Sequence, residues 1–490
     1  MIKVRRKNML PSELLFKRRF SVNMYKTLRL KTGEMSMYKD WVNDKRGDPY
    51  TVLMRNGVIS EKISDNSYRI EGTGLSAAER LIGGFFPYYS YEMRINELRD
   101  ARVGFAVTGA LGSIVITVGG DGVAKAVYGD KQASFDCQVK NGDVFSVTFR
   151  RGGVSLYVDR GSRPELIGDI NDMVPQELSD RAVYEKTVAA VHFETENGGY
   201  AVISGVLAYL CGGLSQADIK PMKYEDGTPI VENGRVYLTV TSRLEAEMYQ
   251  SVISWNPTLC DFRMEGALFF DSGDGQACGD VASSVVYDRN ARRWYIWMCT
   301  FSHGHVLARA TFTSDPRFGI QVLDVNRLPL CESADRTEFG GFEGDEDPDL
   351  CFIDGKWNLT VCRLMPTEDG KREYRYFRFT SDQPLDGFVF ADVTPTGGKT
   401  GGMMTRIGGS YFFVCGTDFD QRANYDVYDL YDFSKRERLV ADYDDGGFRG
   451  WGSVFEIEIG TRVKRFWITF DRHNASGYNW SYGNVYVYEA

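Results

Sequence analysis

Carboxylates crowd three short stretches of this sequence: Glu225 and Asp226 in YEDGTPIV, Asp280 in CGDVASSVV, and Glu343, Asp345, Glu346, Asp347 and Asp349 in FEGDEDPDL. Each stretch runs into an apolar, strand-like segment, so the acids stand at strand entrances. Two carboxyl groups facing one bond can cleave a glycosidic linkage. One, kept protonated, supplies the leaving oxygen with a proton, while the other attacks or activates water, about 6.5–9.5 Å away in the inverting case. His303 and His305 in FSHGHV offer another proton donor near neutrality, and their alternation predicts that both face one side. Trp451 in FRGWGSV and Trp480 in SGYNWSYG present aromatic faces that can stack on a sugar, while Arg406 and Arg449 can grip a carboxylated ligand bidentately. The same acids also have a plainer reading: Asp-Pro and Gly-Asp form turns, and the cluster's oxygens suit a structural calcium ion, although the spacing matches no EF-hand loop.

Residues this far apart in sequence need a fold that makes strand entrances converge. After Gly213 a repeat of roughly 55–60 residues appears, close to the spacing of propeller blades. Its units are TPIVENGRVYLTVTS from Thr228, ASSVVYDRNARRWYIWMCT from Ala282, DPDLCFIDGKWNLTVCR from Asp347, GMMTRIGGSYFFVCG from Gly402 and GSVFEIEIGTRVKRFWITFD from Gly452. Each pairs an apolar strand with an aromatic-rich one across a polar or glycine turn. The outer segments ATFTSDPRFGIQV and FRFTSDQPLDGFVF echo each other at matching phase. Five such units predict a five-bladed β-propeller over residues 216–490, with the entrances lining a central funnel and Trp255, Trp294, Trp297, Trp357 and Trp467 in the core.

Residues 46–215 read as short alternating strands with glycine or Asn/Asp turns, including a hairpin VFSVTFRRGGVSLYVDRG turning at Gly152-Gly153. This stretch resembles concanavalin-like and laminin-G-like β-sandwiches, which predicts an all-β chain with a jelly-roll domain first. Residues 1–45 mix basic and apolar side chains and are expected to dock on the sandwich or on a partner chain, or to serve as a polyanion-binding arm. A net charge of −9 argues against a duplex nucleic-acid partner. No apolar run reaches the about 20 residues of a membrane span, and Pro11, Glu13 and Lys17 interrupt the only stretch resembling a secretory signal. Nine cysteines without a C-x-x-C pair, five of them (Cys211, Cys299, Cys351, Cys362 and Cys415) in apolar runs, predict core thiols and no cofactor. These features fit a cytoplasmic or virion-associated protein, or one whose signal has been removed.

EDGTPIVENGRVYL and DEDPDLCFIDGKWNL resemble the blade entrances of five-bladed glycoside hydrolases typified by family 43, with families 32, 62 and 117. The resemblance implies hydrolysis of a poly- or oligosaccharide, with Asp226 as general base and Asp347 as the aspartate that orients substrate and tunes the acid. Those families place the acid, a glutamate, before the fourth blade, where this chain has KTGGMMTRIGG. Glu343, Asp345, Glu346, His303 and His305 are its substitutes, and Asp280, His303, Arg406, Arg449 and Trp451 are expected to bind substrate. The rival expectation is a glycan-binding or structural protein without turnover, such as a phage virion component recognising surface polysaccharide.

Overall fold

The computed structural model describes residues 16–24, 26–34, 58–64, 67–161, 164–171, 173–327, 344–367, 369–416, 424–442, 452–470 and 484–490. Among these the chain is nearly all β, with one α-helical turn at Arg181–Tyr184 and no helix long and apolar enough to cross a membrane. It divides into two compact units: Met1–Leu28, Gly212–Asp274 and Cys278–Ala490 form one, and Arg29–Cys211 with Gly275–Ala277 the other. The second starts at Arg29 because the strand Arg29–Glu34 pairs with Gly199–Cys211.

Among the described residues the smaller unit holds two antiparallel sheets. Outer strands such as Ser76–Gly84 alternate buried and open positions, whereas strands such as Val144–Arg150 and Gly153–Asp159 are buried almost throughout. The sheets meet through aromatic rings: Phe105 lies 5.7 Å from Tyr91 and 6.4 Å from Phe145. The hairpin of Val144–Arg150 and Gly153–Asp159 turns one residue earlier than expected, at Arg151-Gly152, because Arg150 pairs directly with Gly153 and Gly152 takes the positive φ of 71°.

The larger unit, among the described residues, holds five sheets. Four begin with the expected strand pairs: Val281–Asp288 with Arg293–Thr300, Asp345–Ile353 with Lys356–Pro366, Thr400–Ile407 with Ser410–Gly416, and Ser453–Ile459 with Arg462–Phe470. The remaining one corrects the sequence reading. Its first strand is Ser215–Pro221, in SQADIKP, which pairs with Arg235–Arg243; TPIVENG supplies only the short strand Val231–Glu232 beside the same partner. Between those two pieces the chain leaves the sheet, and Lys223–Tyr224 pairs in parallel with Val286–Tyr287. The first strands of the five sheets touch in cyclic order, the fifth returning to the first through a hydrogen bond from the Ser453 hydroxyl to the Ile219 carbonyl.

Outer strands close the sheets in different ways. Gly319–Asp324, from the first of the two echoing segments, crosses to pair in parallel with Asp261–Asp271 of the preceding sheet, whereas Val389–Val393 stays with Arg372–Ser381. In the fifth sheet the outermost strand is Lys17–Val22, antiparallel to Val485–Glu489. Its mixed character follows from that place: Lys17, Arg18 and Arg19 are exposed, while Phe16 packs on Trp467 at 6.1 Å and Phe20 on Phe262 at 6.5 Å. The five repeat tryptophans are buried.

Candidate active site

One local device recurs at the start of four first strands. Each carries a β-bulge against its partner: between Ala217 and Lys220, Val281 and Ser284, Glu346 and Asp349, and Thr400 and Met403. The first inserted residue is left-handed in every case: Asp218 (φ 48°), Ala282 (59°), Asp347 (47°) and Gly401 (62°). A left-handed bulge turns the strand and re-aims a side chain, and aspartate tolerates it better than most residues. Asp218 and Asp347 are therefore equivalent positions of the repeat, and each places a carboxylate at the same end of its strand.

Neighbouring sheets satisfy the disturbed backbone. Asp347 accepts the Gly401 amide at 3.0 Å, and Gln250 accepts the Ser283 amide at 3.0 Å. One turn deeper, the Leu350 amide donates to the Ser284 hydroxyl at 3.1 Å and the Met404 amide to Asp349 at 2.6 Å. Asp349 also accepts from the Ser284 hydroxyl at 2.9 Å and pairs with Lys223 at 2.6 Å. It is a structural tie, whereas Asp347, only two residues earlier, sits at the strand start.

Asp347 is 7% exposed. Burial, with the Asp218 and Glu346 carboxylates nearby, pushes its carboxyl up to about 7 against the opposing Lys220 ammonium and Gly401 amide. Glu346 pairs with His305 at 3.2 Å, and that pairing raises the imidazole although burial opposes it. Asp345 pairs with Arg363 at 2.7 Å. Asp280 accepts the Ser302 amide at 2.9 Å and its hydroxyl at 2.7 Å. The Cys299 thiol is driven up first by burial and then by the charges of Glu346, Asp347, Asp280 and Asp345.

Asp226 and Arg406 lie elsewhere. Asp226 falls in the excursion between the two pieces of the split first strand, where it caps a turn by accepting the Thr228 amide at 3.1 Å and hydroxyl at 2.6 Å. It pairs with Arg406 at 3.0 Å and Arg289 at 3.2 Å. Arg406 is next to the end of Thr400–Ile407, and Arg289 follows the end of Val281–Asp288. Phe352, near the end of Asp345–Ile353, donates its amide to the Glu225 carbonyl at 2.6 Å. Asp347 and Phe352 are five residues apart, roughly 16 Å of extended strand. Burial pulls the Asp226 carboxyl up, but the Thr228 bonds and Arg289 outweigh it and hold it below its usual range. An acid so held is a weak base, and the structure does not bring it to Asp347.

The two histidines also separate. The strand ends at Thr300, a 3-10 turn covers Phe301–His303, and His305 is left-handed at φ 59°, so strand alternation does not apply. His303 bonds Asp274 at 2.7 Å and the Ser302 hydroxyl at 2.7 Å, while His305 faces Glu346. The fourth position has no room for an acid at Gly402: a Cβ there would lie 2.5 Å from the Phe413 ring and 2.6 Å from that of Tyr376. Of the acids expected to hold calcium, Asp345, Glu346, Asp347 and Asp349 each have protein partners instead. Glu343, Arg449, Trp451 and Trp480 lie outside the described residues.

No protein-family profile matches the sequence, and no curated protein does. Solved structures of family 43, 62 and 117 glycoside hydrolases resemble somewhat more than half of the chain. A thermostable family-43 glycoside hydrolase is 14% identical, with 56% of this chain and 88% of that one covered at a TM-score of 0.38. Zg3597, a family 117 glycoside hydrolase of the marine bacterium Zobellia galactanivorans, is 10% identical over 56% and 84% at 0.41. A GH62 hydrolase in complex with xylotriose is 11% identical over 57% and 92% at 0.38.

Proposed function

We propose that the larger unit is a five-bladed β-propeller that hydrolyses glycosidic bonds at the starts of its inner strands, and that the smaller unit is a concanavalin-like β-sandwich. The observation that carries the catalytic reading is the pair of matched left-handed corners, which sets Asp218 and Asp347 at equivalent strand starts, with the Asp218 charge among the influences that raise the Asp347 carboxyl. Cyclic contact of five first strands supports the propeller. By the phase of the repeat, the first-blade role that the family resemblance suggested for Asp226 belongs to Asp218.

In this mechanism Asp347, largely protonated up to about pH 7, donates its proton to the glycosidic oxygen as the bond to the anomeric carbon breaks. Asp218, partly exposed on the equivalent corner, acts from the other side on water or on the sugar carbon. Glu346 and His305 form an adjoining pair that can relay the proton back. Release of sugar from a panel of aryl glycosides and polysaccharides, followed against pH, tests this. Turnover that declines as pH rises through about 7, and collapses in Asp347→Asn, is the expected result.

A second reading, glycan binding without turnover, draws on the fourth corner. Gly401 offers no side chain there, and Lys399 two residues earlier is taken by Asp426 at 3.1 Å. Binding of a polysaccharide by both native chain and Asp347→Asn, with no product from either, would favour it and remove the catalytic role of Asp347.

A further inference from the structure

Three side chains of the larger unit, unused by the glycosidic mechanism as ligands, converge from separate segments. Cys278 has a buried thiol and a backbone that bridges to Phe270, Asp280 lies at the entrance of Val281–Asp288, and His303 ends the 3-10 turn after Arg293–Thr300. One ligating atom from each, sulfur, carboxylate oxygen and imidazole nitrogen, lies within 4.8 Å of the other two. We infer that Cys278, Asp280 and His303 form a binding site for a zinc-like divalent cation.

The donor set selects the metal. Thiolate and imidazole favour a borderline-soft ion such as Zn2+, whereas calcium takes six to eight oxygens. Zinc bonds of about 2.3 Å to sulfur and about 2.0–2.2 Å to nitrogen and oxygen fit ligand atoms this close together. An independent feature points the same way: Asp274 holds His303 Nε2 at 2.7 Å. A carboxylate on the remote ring nitrogen keeps the proton there and turns Nδ1 towards a metal. Nδ1 already faces Asp280 through the Ser302 hydroxyl, which lies 2.7 Å from His303 Nδ1 and 2.7 Å from Asp280.

Because the Ser302 hydroxyl donates to Asp280, its bond to His303 carries the proton on Nδ1; metal binding releases that proton to solvent and replaces the bond with a metal–nitrogen bond. The Cys278 thiol gives its proton to solvent as sulfur bonds the ion, and no electron moves. Three protein ligands leave a fourth tetrahedral position for water. The ion would fasten the link after Asp261–Asp271 to the entrance of Val281–Asp288 and the turn after Thr300, next to the carboxylate cluster. The proposal requires no glycan, so it stands or falls apart from hydrolysis.

Equilibrium dialysis of the full chain against Zn2+ alone, with metal counted per chain, tests it. We expect one ion per native chain, loss of that ion in Cys278→Ser and in His303→Ala, and affinity about 10–100-fold weaker in Asp274→Asn. Cobalt substituted at the site should show a thiolate-to-metal absorption that Cys278→Ser abolishes. His303 has its side chain 14% exposed, so its truncation keeps the test meaningful if the buried Cys278→Ser chain fails to fold. No bound zinc, or binding unchanged in His303→Ala, would overturn the site.

Discussion

The two ends of the inner strands of the larger unit both carry acids and treat them in opposite ways. Where the strands end, Glu225 and Asp226 face Arg289 and Arg406, and both carboxylates are matched by guanidinium groups and turn bonds. Where the strands start, Asp347 is buried beside Asp218 and Glu346, with Lys220 the opposing ammonium. One end sets its charges against each other and closes a turn. The other holds a carboxyl group whose proton is retained to near neutrality, the state in which an acid can donate it. Residue type alone does not separate the two; the partners do.

The largest expected effect breaks the comparison at its active side. Asp347→Asn should lower glycan turnover by about 10²–10⁴-fold, while Asp226→Asn leaves turnover unchanged and lowers stability by under about 1 kcal/mol, measured by urea unfolding. Next in size is the tie between the ends. Lys223 and Asp349 have side chains 2% and 3% exposed, so Lys223→Met strands a buried carboxylate and should cost about 3–5 kcal/mol in the same unfolding assay. Replacing both residues by apolar ones should recover part of that loss.

Stability against pH sharpens the comparison further. The Asp347 carboxyl is raised from 3.8 to about 7 in the folded chain, so its contribution is full below about pH 4 and is lost as pH rises to about 7. The Asp226 carboxyl is lowered, so its contribution is present above its ordinary range and is lost as pH falls. Unfolding curves of Asp347→Asn between pH 4 and 7 should be flatter than those of the native chain. The smallest effect concerns one of the two corners that bear no carboxylate: Ala282→Gly relieves a left-handed alanine and should raise stability by about 1 kcal/mol without altering turnover.

Much of this architecture could be read from spacing. Four strand pairs and the buried tryptophans followed from alternation and turn residues, because those strands are regular beyond their bulges. The first strand did not, since the bulge at Asp218 and the polar Lys220 and Gln216 disrupt the apolar period of SQADIKP. TPIVENG, an apolar Pro-Ile-Val run ahead of an Asn-Gly turn, took its place in the reading, and Asp226 just before it was read as the base. Phase points to the equivalent corner that our proposal uses: Asp218 lies two residues before Lys220 as Asp347 lies two before Asp349. The role of His303 depended on Asp274, 29 residues earlier, and no sequence period connects them.

The most direct test of where the chemistry lies is sugar release by Asp218→Asn and Asp226→Asn side by side, on any substrate the native chain cleaves. The account predicts that Asp218→Asn loses turnover and Asp226→Asn keeps it. Loss in Asp226→Asn with Asp218→Asn still active would contradict it, and return the base to the arginine-bound end.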